Sequence, residues 1–354
     1  MPYRALIIDD SALMRRVLRD ILSSDPEIEV VGASPDPVAA FRDIERLAPD
    51  VITLDVEMPK MDGLTFLEQL MRTRPTPVVM VSSLTEAGCE TTFRALELGA
   101  LDFITKPKLD IQRGTIDLSE ELIRKVKSAA VAKLAARRPL SVRPVPAAAA
   151  PRTLSSVSDA VIAIGASTGG TEALLQVLSA VPPDAPGIVI VQHMPEKFTR
   201  HFAERLDRLC QVRVKEAADG DRVIPGHVLL APGGTQHMEV RRSGATFEAR
   251  LVDGPPVHHS RPAVDVLFKS VARALGRNAV GVILTGMGQD GADGMLQMRQ
   301  AGARTIAQDE ATSVVYGMPK EARDRGAAEH IRPLRDIAST MVALAAGLSM
   351  RNAS

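Results

Sequence analysis

Short apolar segments rich in β-branched residues recur along this chain and alternate with stretches of helical periodicity. Segments of this kind, separated by helices, predict parallel strands whose sheet is covered by helices on both faces. In the first 125 residues this arrangement is typical of a small flavodoxin-like, doubly wound α/β domain. Its predicted strands are Ala5–Ile8, Glu29–Ala33, Val51–Leu54, Val78–Val81 and Asp102–Ile104.

The second half of the chain repeats the alternation and predicts a second doubly wound α/β domain. Between Gln236 and Val252, an alternating stretch rich in Thr, Val and Arg predicts an antiparallel hairpin appended to its sheet. The predicted parallel strands of this block are Val161–Ile164, Gly187–Val191, Val228–Ala231, Val280–Leu284 and Arg304–Ala307.

A basic, proline-rich segment separates the two blocks. From Arg124 to Arg152 the chain contains eight Lys or Arg residues and no Asp or Glu. The proline density of Pro139–Pro151 is incompatible with a continuous helix or a central strand. We interpret 126–155 as a solvated linker, and docking to an acidic partner is the alternative. The predicted domains are therefore 1–125 and 156–350.

The composition argues against several classes of protein. Tryptophan is absent, aromatic residues make up 3%, and 43 basic residues balance 43 acidic ones, so we expect no nucleic-acid partner. The two cysteines, Cys89 and Cys210, are too few for a disulfide scaffold or a thiolate metal site. No apolar stretch approaches the roughly 18 residues that span a bilayer. We therefore expect a cytoplasmic protein that does not insert into a membrane.

Charged and polar side chains follow the predicted strands of the first block, where open α/β sheets place their chemistry. Three carboxylates at one sheet edge repel one another unless a divalent cation such as Mg²⁺ lies among them. With the cation screening its charge, one carboxylate can attack a phosphoryl group and form an acyl phosphate. Helix capping explains each residue taken alone, but the joint pattern favours a phosphorylation site. The residues are Asp9, Asp10, Asp55, Ser82 and Lys106.

The first block resembles the receiver domain of two-component response regulators over about residues 3–125, with Asp55 shortly before Met58-Pro-Lys-Met-Asp-Gly63. The resemblance implies that Asp55 accepts a phosphoryl group from a phosphohistidine of a sensor kinase. It also implies that Asp9, Asp10 and Asp55 bind Mg²⁺ together with the Glu57 carbonyl.

The same resemblance implies a phosphorylation switch made of Ser82, Phe103 and Lys106. Ser82 and Lys106 end the fourth and fifth predicted strands. Phe103 stands where many receivers have a mobile tyrosine, and it lacks the tyrosine hydroxyl.

A glycine-flanked serine follows the first predicted strand of the second block, in Gly165-Ala-Ser167-Thr-Gly-Gly170. The glycines allow a tight turn, and the N-terminus of the following helix suits a developing oxyanion. The pattern fits a catalytic nucleophile, an anion- or nucleotide-binding loop, or a structural turn. The chain lacks G-x-G-x-x-G and a Walker lysine here, which weakens the nucleotide interpretation.

His193 and Asp290 also fall just past the carboxyl ends of predicted strands of the second block. Because the carboxyl ends of parallel strands share one edge, Ser167, His193 and Asp290 could meet as nucleophile, general base and orienting carboxylate. Their order along the chain differs from the Ser, Asp, His order of α/β-hydrolases.

Three other histidines of this block, His237, His258 and His259, do not form a zinc motif. Their spacing matches neither H-E-x-x-H nor another regular ligand pattern. We therefore expect no cofactor in the second block.

Five motifs of the second block together resemble those of one family. They are Gly165-Ala-Ser-Thr-Gly-Gly, Gln192-His-Met-Pro, Ala231-Pro-Gly-Gly, His259-Ser-Arg-Pro-Ala-Val-Asp-Val-Leu-Phe268 and Thr285-Gly-Met-Gly-Gln-Asp-Gly291. With them, the whole chain resembles the chemotaxis protein-glutamate methylesterases, the CheB-type response regulators. The resemblance implies hydrolysis of glutamate methyl esters on chemoreceptors and deamidation of certain receptor glutamines. It makes Ser167, His193 and Asp290 the triad, with Thr168 and the backbone around Met287 as oxyanion or orienting groups. The implied partners are methyl-accepting chemoreceptors and the histidine kinase CheA.

Two other functions compete with this interpretation. A receiver joined to a catalytically silent α/β domain would act as a binding module for receptors. A receiver fused to a nucleotide-binding enzyme is disfavoured by the missing phosphate-loop motifs. A transcription-factor output would need a helix-turn-helix after the linker, and the sequence offers no candidate.

Overall fold

The computed structural model describes residues 1–58, 61–83, 85–106, 115–132 and 160–352. The chain divides into two compact units, Met1–Arg137 and Arg138–Ser354. The segment 126–155, predicted as a linker, lies outside the described residues from residue 133 onward, and its boundaries remain a prediction. Among the described helices, none is long and apolar enough to cross a membrane.

A five-stranded parallel sheet forms the centre of the first unit. Its strands are β1 (Tyr3–Ile8), β2 (Ile28–Ser34), β3 (Val51–Asp55), β4 (Val78–Ser82) and β5 (Asp102–Thr105). They lie in the order β2-β1-β3-β4-β5, which confirms the predicted flavodoxin-like sheet. Because β1 and β3 are neighbours, the residues that follow them lie at one edge of the sheet.

Helices connect these strands, and side-chain caps define where most of them begin. The helices are α1 (Ala12–Leu22), α2 (Pro37–Leu47), α3 (Gly63–Thr73), α4 (Glu86–Leu98) and α5 (Thr115–Ala130). The capping side chain accepts a hydrogen bond from a backbone amide of the first turn, which otherwise lacks a partner. The caps of α1 to α4 are Ser11, Asp36, Asp62 and Thr85.

The second unit is built on a seven-stranded parallel sheet and a smaller antiparallel one. Its strands are β6 (Val161–Ala166), β7 (Gly187–Gln192), β8 (Arg213–Glu216), β9 (Arg222–Val223), β10 (His227–Leu230), β11 (Gln236–Ser243), β12 (Thr246–Asp253), β13 (Ala279–Ile283), β14 (Arg304–Gln308) and β15 (His330–Arg332). The large sheet has the order β15-β14-β13-β6-β7-β10-β8. Strand order therefore reverses beside β6, and such a switch point is where open α/β sheets form their binding crevice.

The hairpin predicted between Gln236 and Val252 is present, but it does not extend the large sheet. Strands β11 and β12 pair over eight residues each, and β12 also pairs with the short strand β9. Together they form a separate three-stranded sheet. Met238, Val240 and Ala249 are buried, so one face of this sheet packs into the core.

Two groups of helices cover the large sheet. They are α6 (Gly170–Ser179), α7 (Phe198–Leu209) and α11 (Leu334–Asn352), and α8 (Val264–Leu275), α9 (Ala292–Gln300) and α10 (Met318–Asp324). Strands β6, β7 and β13 are buried along their whole length. Because helices cover both faces of a doubly wound sheet, its central strands are apolar on both sides.

Candidate functional site

Ser167 stands in the turn between β6 and α6, at the switch point of the large sheet. Its amide donates to the Thr285 carbonyl at 3.0 Å, and its carbonyl accepts from the Gly170 amide at 2.7 Å. The buried Gln192 amide group also donates to the Ser167 carbonyl, at 2.9 Å. Three hydrogen bonds thus fix the backbone of the serine while its hydroxyl stays available for other contacts.

Two glycines make this turn possible. Gly169 has φ +76°, a left-handed conformation that glycine adopts without strain. Gly286 packs directly against the serine, because a Cβ added there would lie 2.7 Å from the Ser167 Cβ. The turn after β13 can therefore approach the Ser167 turn only with glycine at this position.

His193, directly after β7, contacts Ser167 and Asp290 through its two ring nitrogens. Its Nδ1 lies 3.2 Å from the Ser167 Oγ, and its Nε2 lies 2.8 Å from the Asp290 Oδ2. A carboxylate accepts the Nε2 proton, so the neutral ring presents the Nδ1 lone pair to the serine hydroxyl. The sequence predicted that these three residues meet at one edge of the sheet.

The N-terminus of α8 holds Asp290. Its Oδ2 accepts from the Val264 amide at 2.7 Å and its Oδ1 from the Asp265 amide at 2.9 Å. Burial alone would raise the pKa of Asp290, but the hydrogen bond from His193 and those from the two amides lower it below its ordinary value. The carboxylate is thus an anion fixed in place beside the imidazole.

The two predicted oxyanion or orienting groups lie beside the same turn. Thr168 is buried, and its carbonyl accepts from the Thr285 hydroxyl at 3.0 Å. Met287 is half-buried and directly follows Gly286, which packs on Ser167. Both residues thus belong to the two turns that meet at Ser167, and their part in catalysis remains a prediction.

Sequence reasoning missed one hydroxyl in the site. Ser260 is 5% exposed, and its Oγ lies 3.4 Å from the His193 Nδ1. It belongs to the His259–Phe268 motif, but nothing in the sequence connects it with a histidine 67 residues away.

Two of the other histidines singled out in the sequence, His237 and His258, have hydrogen-bond partners. His237 accepts from the Ala263 amide at 3.1 Å and donates to the Pro255 carbonyl at 2.9 Å. His258 Nε2 lies 3.2 Å from the Asp265 Oδ2. Ligand-type atoms of His258, Asp265 and Asp290 lie within 4.8 Å of one another, but backbone amides and imidazoles already bind these carboxylates.

The first unit brings three carboxylates together at the carboxyl ends of β1 and β3. Ligand atoms of Asp9, Asp10 and Asp55 lie within 4.8 Å of one another, as a divalent cation requires. Asp9 and Asp55 are fully buried. The Glu57 amide donates to the Asp55 Oδ1 at 3.2 Å, so the backbone of Glu57 lies beside the cluster. Pro59 and Lys60 of the adjoining motif lie outside the described residues.

The electrostatics of this cluster suit a bound cation. Burial, followed by the charge of Asp55, raises the pKa of Asp9 to about 6. Its Oδ2 is a buried oxygen without a hydrogen-bond partner. Burial also raises the pKa of Asp55, although the Lys106 ammonium, 2.8 Å away, opposes this shift. An unpartnered carboxylate oxygen among three acids fits a Mg²⁺ ligand.

Ser82 is the last residue of β4, and Phe103 lies within the neighbouring strand β5. The Ser82 Oγ is buried and accepts a hydrogen bond from the Thr92 hydroxyl of α4 at 2.7 Å. Phe103 is 3% exposed and packs edge-on against Phe93. The Lys125 ammonium of α5 lies 5.0 Å from the centre of the Phe103 ring. Thr92 and Lys125 were not predicted, because neither stands at a strand end.

Comparisons with known proteins agree with this geometry. A family model described as CheB methylesterase matches residues 162–341, and one described as response regulator receiver domain matches residues 5–113. The protein-glutamate methylesterase/protein-glutamine glutaminase of Salmonella typhimurium is 55% identical over 353 residues, 98% of this chain and 99% of the relative. The Thiobacillus denitrificans protein of the same name is 56% identical over 339 residues, 95% of each chain.

A solved structure of a catalytic domain is also similar to this chain. The crystal structure of the Thermotoga maritima CheB methylesterase catalytic domain is 38% identical and superposes with a TM-score of 0.52. The match covers 53% of this chain and 100% of that one. Because relatives that match nearly the whole chain are more than half identical to it, this chain belongs to the CheB methylesterase family. A response regulator receiver domain precedes its methylesterase domain.

Proposed function

We propose that this protein is a chemotaxis response regulator that hydrolyses glutamate methyl esters on methyl-accepting chemoreceptors and deamidates specific receptor glutamines. The observation that carries the proposal is the line of contacts from Ser167 through His193 to Asp290, at 3.2 and 2.8 Å. The substrate class follows from the family and from the names of its near full-length relatives.

In the first step, the Ser167 Oγ attacks the ester carbonyl while the His193 Nδ1 takes the hydroxyl proton. Asp290 accepts the Nε2 proton in a hydrogen bond and stabilises the imidazolium without becoming protonated. The Nδ1 proton then passes to the methoxide oxygen, and methanol leaves the acyl-enzyme. With a glutamine, the same proton goes to the leaving nitrogen and ammonia departs.

The oxyanion must be stabilised by groups other than the amide of the nucleophile. The Ser167 amide already donates to the Thr285 carbonyl, so it is occupied. We assign this role to Thr168, the residue after Ser167, and to the backbone around Met287, which follows the Gly286 that packs on Ser167. The N-terminus of α6 adds a favourable dipole for negative charge.

Water completes the reaction. The water oxygen attacks the acyl carbonyl while the His193 Nδ1 takes a proton from the water. Nδ1 then passes that proton to the departing Ser167 oxygen. The product is a receptor glutamate carboxylate. The second unit uses no cofactor in this scheme.

The receiver unit controls this activity through phosphorylation of Asp55. Asp9, Asp10, Asp55 and the Glu57 carbonyl would hold Mg²⁺, which supplies the positive charge that phosphoryl transfer between anions needs. The Asp55 carboxylate attacks the phosphoryl group of a histidine kinase, which we take to be CheA. Lys106 binds a phosphoryl oxygen.

Ser82 and Phe103 complete the proposed switch. The Ser82 hydroxyl turns to a second phosphoryl oxygen, and Phe103 responds without the hydrogen bond that a tyrosine would make. The partners are thus a kinase and membrane receptors, which the protein meets from the cytoplasm.

Mass spectrometry of methylated receptor peptides tests the esterase. We expect Ser167→Ala and His193→Ala each to lower turnover by several orders of magnitude, and the double variant to lose little more, because the residues act as a unit. Ser179→Ala, which removes a hydroxyl at the far end of α6, should demethylate at the wild-type rate. An active Ser167→Ala enzyme, or additive losses, would contradict the proposal.

A further inference from the structure

The Ser260 hydroxyl has no part in the mechanism above, yet it lies beside the His193 Nδ1, the nitrogen that takes the proton during the reaction. Ser260 Oγ and Ser167 Oγ lie 3.4 and 3.2 Å from the same His193 Nδ1. A neutral imidazole has one lone pair at this nitrogen and can accept one strong hydrogen bond there. The two hydroxyls therefore share a single acceptor.

A strained turn brings Ser260 to this position. His258 and His259 have φ +50° and +60°, the left-handed region that residues with a Cβ enter at a cost. The turn is closed by hydrogen bonds between Val257 and Ser260 at 2.9 and 3.1 Å. Consecutive left-handed residues other than glycine persist only where their surroundings hold them, and they concentrate at functional sites.

The surroundings that hold this turn also hold the catalytic carboxylate. His258 contacts the buried Asp265 side chain at 3.2 Å, and Asp265 Oδ1 accepts from the Gly294 amide of α9 at 2.7 Å. The Asp265 amide in turn donates to Asp290. One residue at the start of α8 thus positions both the Ser260 turn and the acid of the triad.

The hydroxyl that can hydrogen-bond to the His193 Nδ1 changes during the reaction. Before attack, the Ser167 hydroxyl donates a hydrogen bond to Nδ1, and Ser260 contributes little to positioning the ring. In the acyl-enzyme the Ser167 oxygen carries the acyl group and has no proton, so Nδ1 loses this donor. Ser260 then becomes the protein hydroxyl within reach of the lone pair.

We propose that Ser260 is a positioning residue for deacylation, which holds the His193 imidazole in line with the acyl carbonyl after Ser167 has lost its proton. Ser260 donates to Nδ1 until water arrives. As water attacks and Nδ1 takes its proton, the Ser260 oxygen accepts a hydrogen bond from the new Nδ1–H. The proton then passes to the leaving Ser167 oxygen, and Ser260 itself exchanges no proton. This inference rests on the proposed Ser167–His193–Asp290 mechanism.

Full-length Ser260→Ala enzyme, a methylated receptor fragment and rapid-quench intact mass spectrometry test the inference. Slower deacylation lowers kcat and KM together, leaves kcat/KM within about twofold and makes the acyl-enzyme accumulate. We expect kcat to fall about tenfold, the effect of losing one hydrogen bond of ordinary strength in the rate-limiting step. The acylated enzyme should become a major species in the steady state.

Two controls separate this effect from others. Ser179→Ala should keep wild-type kcat, KM and acyl-enzyme level, and the Ser260→Ala melting curve should match wild type. Wild-type kcat and acyl-enzyme level in Ser260→Ala would overturn the inference, as would a fall in kcat/KM without accumulation. Failure of the triad proposal itself looks different, because Ser167→Ala would then remain active.

Discussion

At the scale of single residues, Asp290 and Asp9 are both buried carboxylates near strand ends, and their pKa values move in opposite directions. Burial raises the pKa of Asp9 to about 6, and the charge of Asp55 adds to the shift. The same burial acts on Asp290, but His193 and two amides of α8 bind its oxygens and lower its pKa. The number of hydrogen-bond donors therefore sets the direction of the pKa shift of a buried carboxylate. Asp290 has enough donors to stay ionised, whereas Asp9 has few and is suited to bind a cation.

Replacing Asp290 tests its role as the fixed acceptor for His193. In Asp290→Asn the amide cannot be an anion beside the imidazolium and favours the wrong tautomer, so we expect kcat to fall about 10³- to 10⁴-fold. Release of methanol from methylated receptor fragment measures this. Asp293→Asn, which changes a half-buried carboxylate on the first turn of α9 that pairs with Arg325, should retain wild-type kcat. Comparable losses in both variants would contradict the assignment.

Asp9 makes stability depend on pH in a definite direction. Its pKa is about 6 in the folded protein and near the ordinary 3.8 when unfolded, so the metal-free folded state binds the extra proton between these values. Relative to Asp9→Asn, the wild type should therefore lose stability as the pH rises from about 4 to about 7. Calorimetry of both proteins at several pH values measures the difference.

Added Mg²⁺ provides the control for this prediction. A cation bound to the Asp9 carboxylate favours the folded state, so at pH 7 it should raise the melting temperature of wild type more than that of Asp9→Asn. Equal shifts would remove Asp9 from the metal site.

Most of the residues that sequence analysis found lie at or shortly after the carboxyl ends of strands, and those that it missed do not. Asp55, Ser167 and His193 could be aligned at sheet edges because parallel topology fixes where strands end. Ser260 reaches His193 through a turn whose shape depends on left-handed backbone at two histidines. Thr92 reaches Ser82 from a helix face. Contacts of this kind depend on side-chain packing, which periodicity does not encode.

At the scale of elements, the strands that the sequence did not reveal are short and at least half-exposed. Strand β8 has a single fully buried residue of four and β15 has none of three, so neither forms an apolar run. Both stand at edges of the large sheet, where one side faces no further strand. Strand β9 has two residues and forms only by pairing with β12. The long buried strands were predicted because their apolar runs are continuous.

Helix α5 is tied to β5 by a buried ammonium. Lys125 Nζ donates to the Asp102 carboxylate at 2.9 Å and to the Phe103 carbonyl at 2.5 Å, and Glu121 lies 3.2 Å away. Burial alone would lower the pKa of Lys125, but the charges of Asp102 and Glu121 raise it, so the side chain is a cation. The pair fixes the helix beside the Phe103 ring.

Removing this ammonium should destabilise the receiver unit strongly. Lys125→Met leaves the Asp102 carboxylate without its buried partner, which costs about 3 kcal/mol of unfolding free energy. Lys127→Met, two residues along, breaks a more exposed pair with Asp25 and Glu27 and should cost less than about 1 kcal/mol. Calorimetry of the first unit's transition compares the two variants. Equal costs would show that Lys125 acts as a surface charge.

At the scale of the whole molecule, the proposed function requires that phosphorylation of one unit change the activity of the other. With a small phosphodonor and Mg²⁺, we expect wild-type protein to take up one phosphoryl group and to demethylate receptors about tenfold faster. That factor requires a differential of about 1.4 kcal/mol between two states. Asp55→Asn should show neither effect in intact-mass and methanol-release measurements.

Asp62→Asn is the matched control for Asp55→Asn. The Asp62 carboxylate accepts from the Thr65 amide at 2.8 Å as the cap of α3, and asparagine caps helices equally well. This variant should be phosphorylated and activated as wild type is. A phosphorylated Asp55→Asn protein would move the phosphoacceptor elsewhere.

The order of Ser167, His193 and Asp290 along the chain has a consequence during synthesis on the ribosome. His193 follows Ser167 by 26 residues, whereas Asp290 follows His193 by 97. At synthesis rates of about 5–20 residues per second, the carboxylate emerges roughly 5–20 s after the base. During this interval the nascent polypeptide has a complete receiver domain and carries Ser167 and His193 without Asp290. On the proposed mechanism, prematurely terminated translation products that lack Asp290 should therefore accept a phosphoryl group but fail to remove receptor methyl groups.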